Sequence, residues 1–114
     1  MAPPDSGFRI DYDAIPRAVA TYDQVLDRLG AILNRVRRSA RIEPWAQDRV
    51  SVAMAAHYNE QIFGPDLTGT SPYCTYGALK LYERELVAAR DALQRTYAEY
   101  LRAEAEAANS FTKS

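Results

Sequence analysis

Apolar residues in the first third of the chain recur at alternating spacings of four and three positions. This row comprises Ile15, Val19, Tyr22, Leu26, Leu29, Leu33 and Val36. Such heptad spacing predicts an amphipathic α-helix, which we place after Asp13 and before Pro44. A second row of Ala18, Val25 and Ile32 runs beside the first. The combined apolar face is wider than contact with one neighbour requires, so we expect this helix to pack against more than one other helix.

Local signals at both ends delimit a second helix. Pro44 disfavours helical geometry at the residue before it, which ends the first helix. Asp48 is suited to cap a new helix, because its carboxylate can accept a hydrogen bond from a backbone N–H in the first turn. We expect this helix to run to about Phe63. The segment Gly64–Thr70 contains two glycines and a proline, which predicts an inserted loop over residues 64–72.

A third, long helix is predicted from about residue 72 to residue 107. Ser71 and Pro72 provide the residue types favoured at the cap and at the first helical position. The apolar row of this helix again alternates spacings of three and four, and comprises Leu79, Tyr82, Leu86, Ala89, Leu93, Thr96, Tyr100 and Ala103.

Together these elements predict an all-α fold in a single domain spanning residues 1–114, with a flexible lead-in at 1–12 and a flexible tail at 108–114. We expect an antiparallel helical hairpin whose second arm is broken by the loop. A partner protein would cover the wide apolar face by completing a four-helix bundle; the alternative is a three-helix bundle in which the second helix folds back. The residues expected at the partner interface are Val19, Val25, Leu26, Leu29, Ile32, Leu33, Leu79, Leu86 and Leu93.

Composition and charge exclude several classes of function. The formal net charge is −1, whereas a nucleic-acid-binding protein needs a clustered basic excess. No apolar run is long enough to cross a membrane, and the N-terminus lacks the pattern of a secretory signal peptide. Leu, Ile, Val and Phe make up only about a fifth of the residues, a thin supply for a core.

Few residues have the surroundings that catalysis or metal binding would need. Cys74 is the one cysteine, so it forms no intramolecular disulfide and we expect it to serve packing. His57 has only Glu60 as a nearby possible ligand, and we expect no metal site there. We find no phosphate-binding loop and no nucleophile motif, and therefore predict neither enzymatic activity nor a cofactor. The basic cluster between Arg35 and Arg41 either complements the negative end of the first helix or docks an acidic partner or a phosphate.

Three sequence features occur together along the chain. Trp45 lies in the turn between two helices, and Asp48-Arg49-Val50-Ser51 opens the second arm before a run of mostly small residues and Tyr58-Asn59. The last helix ends with Tyr100 and, four residues later, Glu104. This combination resembles the PE family of type VII (ESX) secretion substrates, in the WxG-like helical-hairpin superfamily, over roughly residues 8–108.

The resemblance implies a secreted helical-hairpin protein that pairs with a PPE-like or other helical-hairpin partner. Export to the outside or to the cell envelope would proceed without a cleaved signal peptide. Tyr100 and Glu104 would form a Tyr-x-x-x-Glu export signal recognised by an ATPase or chaperone of the secretion machinery. Trp45 would be either a recognition residue or an aromatic cap on the core. No nucleic acid binding and no membrane insertion are expected.

The sequence also departs from the family pattern. It has no Pro-Glu dipeptide near the N-terminus, Trp45 is followed by Ala46-Gln47 rather than by the Trp-x-Gly sequence, and the 64–72 loop interrupts a helix that the family builds continuously. We therefore interpret the chain as a divergent member. The alternative function is that of a cytoplasmic, homo-oligomeric helical scaffold protein.

Overall fold

The computed structural model describes residues 11–113 of the chain. A short 3-10 turn (Tyr12–Ala14) leads into three helices, α1 (Ile15–Ser39), α2 (Arg49–Phe63) and α3 (Thr75–Lys113). No strand occurs within this range, and the predicted all-α class is confirmed. Most of the predicted lead-in at 1–12 lies outside the described residues.

The helix α2 begins where its capping residue predicts. Asp48 has extended backbone geometry, and its Oδ1 accepts from the Ser51 N–H at 2.8 Å while its Oδ2 accepts from the Ser51 hydroxyl at 3.0 Å. These hydrogen bonds favour the ionised carboxylate and lower the pKa of Asp48. At the other end, Gly64 has a φ of 90° and leaves the helical path, a geometry that suits glycine because it has no Cβ.

Residues 64–74 form the non-helical connection between α2 and α3. The N–H of Gly69 donates to the Phe63 carbonyl at 2.6 Å, which folds the loop back onto the end of α2. The sequence predicted that the third helix begins at about Pro72, but in the structure it begins at Thr75. The reason is that Cys74, not Ser71, caps it: the Cys74 sulfur accepts from the Gly77 N–H at 3.3 Å, and its carbonyl accepts the first helical hydrogen bond from Ala78.

The helices α1 and α3 pack against each other in opposite directions. Near the start of α1, the ring of Tyr12 stacks on that of Tyr100, with centroids 4.3 Å apart. Further along, Asp23 forms an ion pair with Arg90 at 3.0 Å. At the end of α1, Arg37 lines a pocket together with Tyr76, which lies in the first turn of α3.

The last part of α3 projects beyond α1. The helix continues to Lys113, past the predicted end near Ala107. Because Tyr100 already contacts Tyr12 at the start of the described chain, residues 101–113 extend about 20 Å further. None of the described helices has an apolar stretch sufficient to span a membrane.

The molecule is elongated and its core is thin. Its principal extents are 84 × 34 × 20 Å and its radius of gyration is 23.5 Å, against roughly 13 Å for a compact domain of this length. The accessible surface is 9011 Å², whereas a compact monomer of this mass exposes roughly 6,300 Å². The buried apolar residues in the described range are Ile15, Leu29, Leu33, Ala55, Phe63 and Cys74.

Candidate functional site

The second apolar row of α1 lies on the flank of the α1–α3 core. Val25 is 40% exposed and Ile32 is 49% exposed, while Leu29 and Leu33 are buried. At 100° per residue, Val25 and Ile32 point about 60–80° to one side of the buried pair, and Arg37 points about 60° to the other.

The corresponding side of α3 carries a further exposed aromatic residue. Tyr76 shares a pocket with Arg37, so these two residues lie on the same side of the α1–α3 pair. Tyr82 lies about 120° around the axis of α3 from Tyr76, which places it on the other side of the pair, and it is exposed. Val25, Ile32 and Tyr82 thus lie on one side of the helix pair, and we call them the α1–α3 apolar face.

The predicted interface residues divide into three groups in the structure. Leu29 and Leu33 are buried between the helices of the single chain, and Val25 and Ile32 are exposed. The others are half-buried: Val19, Leu26, Leu79, Leu86 and Leu93. Much of the predicted set therefore contributes to the fold of the chain itself, and only part of it is accessible to another molecule.

The helix α2 exposes one row of apolar residues to solvent, a feature that the sequence reasoning missed. Val50, Met54 and Tyr58 recur every four residues and are exposed, and we call them the α2 apolar row. The row that follows it by one residue is buried, although it contains two polar residues: Ser51, Ala55, Asn59 and Phe63. The signal was present in the spacing, but spacing alone does not tell which row faces the core.

Asn59 explains why a polar residue occupies the buried row. Its side-chain oxygen accepts from the Ile42 N–H, and its side-chain nitrogen donates to the Ile42 carbonyl, both at 2.9 Å. The amide therefore satisfies both backbone groups of Ile42 and fixes the segment between α1 and α2 against α2. This contact holds the α2 apolar row in its outward orientation.

Trp45 lies on the segment that Asn59 anchors. It is 63% exposed, so in the single chain it does not cover the core. Trp45 follows the C-terminal end of α1, whereas Tyr100 contacts the chain just before the N-terminal end of α1. The two residues are therefore separated by about the length of α1, roughly 38 Å.

Tyr100 and Glu104 lie where α3 leaves the helix pair. The Tyr100 ring is half-buried against Tyr12 and tilts toward Tyr97, with centroids 6.2 Å apart. Glu104, one turn further on, is exposed. The negative charge of Glu104 is the main cause that raises the pKa of Tyr100, followed by desolvation and the charge of Asp13. The phenol therefore stays protonated and can donate a hydrogen bond. The sequence did not identify Tyr12 as the residue that supports this ring.

The remaining candidate residues have local roles in the structure. His57 lies 3.3 Å from the Gln61 side chain on the surface of α2. Cys74 is buried and caps α3. Within residues 11–113, no group of three His, Cys, Asp or Glu side chains is arranged to hold a metal ion.

No protein-family model matches this chain, and no match is found among curated proteins or solved structures. The case for a function therefore depends on the geometry above and on the motifs in the sequence.

Proposed function

We propose that this protein is a helical binding protein whose apolar surface pairs with a second helical protein. The observation that carries the proposal is the orientation of α2, which exposes Val50, Met54 and Tyr58 while it buries Ser51 and Asn59. Exposed apolar surface of this kind is typical of a protein–protein contact. The α1–α3 apolar face supplies a second contact area.

The surface area of the chain supports this proposal. Its accessible surface exceeds that of a compact monomer by roughly 2,700 Å², a difference to which both the exposed apolar rows and the projecting end of α3 contribute. A standard protein–protein interface buries about 800 Å² on each partner. A partner with two antiparallel helices would match the exposed rows and complete a four-helix bundle.

The resemblance to the PE family supports a PPE-like partner and export by a type VII system. In this proposal Tyr100 and Glu104 form the export signal at the start of the projecting end of α3. The Tyr100 ring is supported by Tyr12, so an aromatic edge and a carboxylate are presented on a helix that needs no refolding to be recognised.

The pairing is tested by co-expressing the chain with the helical-hairpin protein encoded by a neighbouring gene and measuring complex size by light scattering. Met54→Asp places a charge on the α2 apolar row, and Ile32→Asp places one on the α1–α3 apolar face. Each should abolish the complex, because it would bury an unpaired carboxylate. Ala31→Asp is the matched control, since Ala31 is exposed and adjacent in α1. Leu29 is unsuitable because it is buried within the chain.

We expect Ala31→Asp to retain the complex and all three variants to keep the helical circular dichroism of the unmodified chain. Equal binding by Met54→Asp, Ile32→Asp and Ala31→Asp, or a compact monomer that forms no complex, contradicts the pairing. A defined homo-oligomer that Ile32→Asp disrupts would favour the scaffold function instead.

The export signal is tested separately in the native host by assaying cell and culture fractions. Glu104→Gln should stop secretion while changing the free energy of unfolding by less than about 0.5 kcal/mol, as expected for an exposed position. Glu106→Gln is the matched control on the same projecting segment and should be secreted normally. Normal secretion of Glu104→Gln would show that the Tyr-x-x-x-Glu match is accidental.

A further inference from the structure

A concave site lined by three arginines lies where the ends of α1 and α2 meet the start of α3. Its volume is about 350 Å³, within the range of small-ligand pockets. Its walls are formed by Arg37, Arg38, Arg41, Phe63, Leu67, Thr68 and Tyr76. We call it the arginine pocket.

The three guanidinium groups of the arginine pocket lack carboxylate partners. All ion pairs found among the described residues involve Lys80 or Arg90 instead. Arg37 and Arg38 make only long hydrogen bonds to Asn34, at 3.4 and 3.3 Å. The negative end of α1 supplies about half an elementary charge. Glu43 and Glu60 line an adjoining pocket together with Arg41 but form no ion pair with it, so the positive charge is least compensated at Arg37 and Arg38.

The nearby acid on the loop does not compensate this charge either. The Oδ1 atom of Asp66 accepts from the Thr68 N–H at 3.2 Å and from the Thr68 hydroxyl at 2.8 Å. These two hydrogen bonds hold the carboxylate within its own turn and lower its pKa. The loop is therefore ordered beside the arginines without forming an ion pair with them.

An aromatic wall adjoins the guanidinium groups. The guanidinium carbon of Arg41 lies 5.9 Å from the centroid of Phe63, a ring that is only 6% exposed. Tyr76 packs against Phe63 with centroids 5.8 Å apart. The pocket thus places three exposed guanidinium groups beside the half-buried ring of Tyr76, while the Phe63 ring lies largely covered beneath Arg41.

We propose that the arginine pocket binds a phosphate monoester whose organic part carries a ring. A phosphate monoester has a charge of about −1.5 to −2 at pH 7 and three terminal oxygens, which suits three guanidinium groups. A single carboxylate has two oxygens, and one arginine can satisfy both. The half-buried ring of Tyr76 provides a contact for the ring of the ligand.

This inference does not depend on the proposed pairing function. The α1–α3 apolar face lies on the opposite side of the helix pair from Arg37 and Tyr76. The α2 apolar row does not line the pocket either, since Phe63 is the one α2 residue in its lining. The pocket therefore stays open to a ligand when a partner covers these two surfaces.

Calorimetric titration of the full chain with phenyl phosphate tests the proposal, with benzoate as the carboxylate comparison. We expect a single site that binds phenyl phosphate at least tenfold more tightly than benzoate at equal ionic strength. The affinity should rise between pH 5 and pH 7.5, because the second phosphate pKa is about 6 while arginine does not titrate in this range. Titration with inorganic phosphate should give weaker binding, since it lacks the ring.

Variants assign the binding to the pocket. Arg37→Gln and Arg38→Gln should each weaken phenyl phosphate binding at least fivefold, whereas Arg35→Gln, on the same helix but outside the pocket lining, should not. Thermal unfolding of each variant checks the fold. Titration with a nucleoside monophosphate and with a phosphotyrosyl peptide then identifies the source of the phosphate. Tighter binding of the nucleotide indicates a free ligand, tighter binding of the peptide indicates a modified protein, and either result supports the proposal. Equal affinity for benzoate, or equal losses in Arg35→Gln and Arg37→Gln, would overturn it.

Discussion

Substitution of Gly77 tests how the loop between α2 and α3 packs on the start of α3. Gly77 is buried in the first turns of α3. A Cβ built there would lie 1.7 Å from the Ser71 carbonyl oxygen and 3.1 Å from the Gly69 carbonyl oxygen. Both are backbone atoms, so Gly77→Ala requires the loop itself to move and cannot be accommodated by a side-chain rotation.

The expected magnitude follows from comparison with Gly30. At Gly30 in α1 an added Cβ meets nothing within 4 Å, so Gly30→Ala should gain about 0.5–1 kcal/mol from the better helix propensity of alanine. Gly77→Ala has the same helical gain but forces overpacking, which typically costs about 1–3 kcal/mol and more where backbone must shift. We expect the two variants to differ by about 3 kcal/mol in unfolding free energy, with Gly77→Ala the less stable.

The assay is urea unfolding followed by circular dichroism at 222 nm, with both variants measured at one protein concentration because any oligomer would make the midpoint depend on it. A Gly77→Ala protein as stable as Gly30→Ala would refute the reasoning. It would mean that the loop does not lie against α3 as described.

Two further predictions concern the cap and the buried amide of α2. Asn59→Ala should lower the free energy of unfolding by about 1–3 kcal/mol, because it leaves the Ile42 N–H and carbonyl without their partners. Urea unfolding measures this loss, with Gln61→Ala at an exposed position as the control. A loss no greater than that of Gln61→Ala would contradict the role of Asn59. Folding lowers the pKa of Asp48 below its ordinary value of 3.8, so the cap should stabilise the fold fully above that pH and progressively less below it. In Asp48→Asn this part of the acid dependence should vanish from thermal melts taken between pH 2.5 and pH 6, and an unchanged pH profile would contradict it.

The sequence predicts the helices well where the signals are local. The Asp48 cap and the Gly64 terminus each act within one turn, so both ends of α2 could be placed. The start of α3 could not, because a cysteine sulfur acts as the cap and the usual capping residue, Ser71, forms a turn instead.

The candidate binding surface was harder to predict from the sequence than the ends of the helices, for a different reason. Heptad spacing on α1 separates two apolar rows, but it placed both Leu29 and Ile32 at the partner interface, whereas Leu29 is buried within the chain and Ile32 is exposed. On α2 the apolar row is the exposed one, and only the tertiary contact of Asn59 with Ile42 explains this. The partner and the export signal remain predictions, since they depend on molecules other than this chain.

The non-helical path of residues 64–74 has a consequence for how the chain can change during evolution. In a continuous helix, one inserted residue would rotate everything after it by about 100° and carry the apolar rows away from their contacts. Here an insertion or deletion in the connection leaves α3 in phase with α1 and α2 in phase with the segment around Ile42. The two parts of the second arm can therefore diverge independently, so that relatives could differ in length at this point while both halves of the molecule keep their contacts.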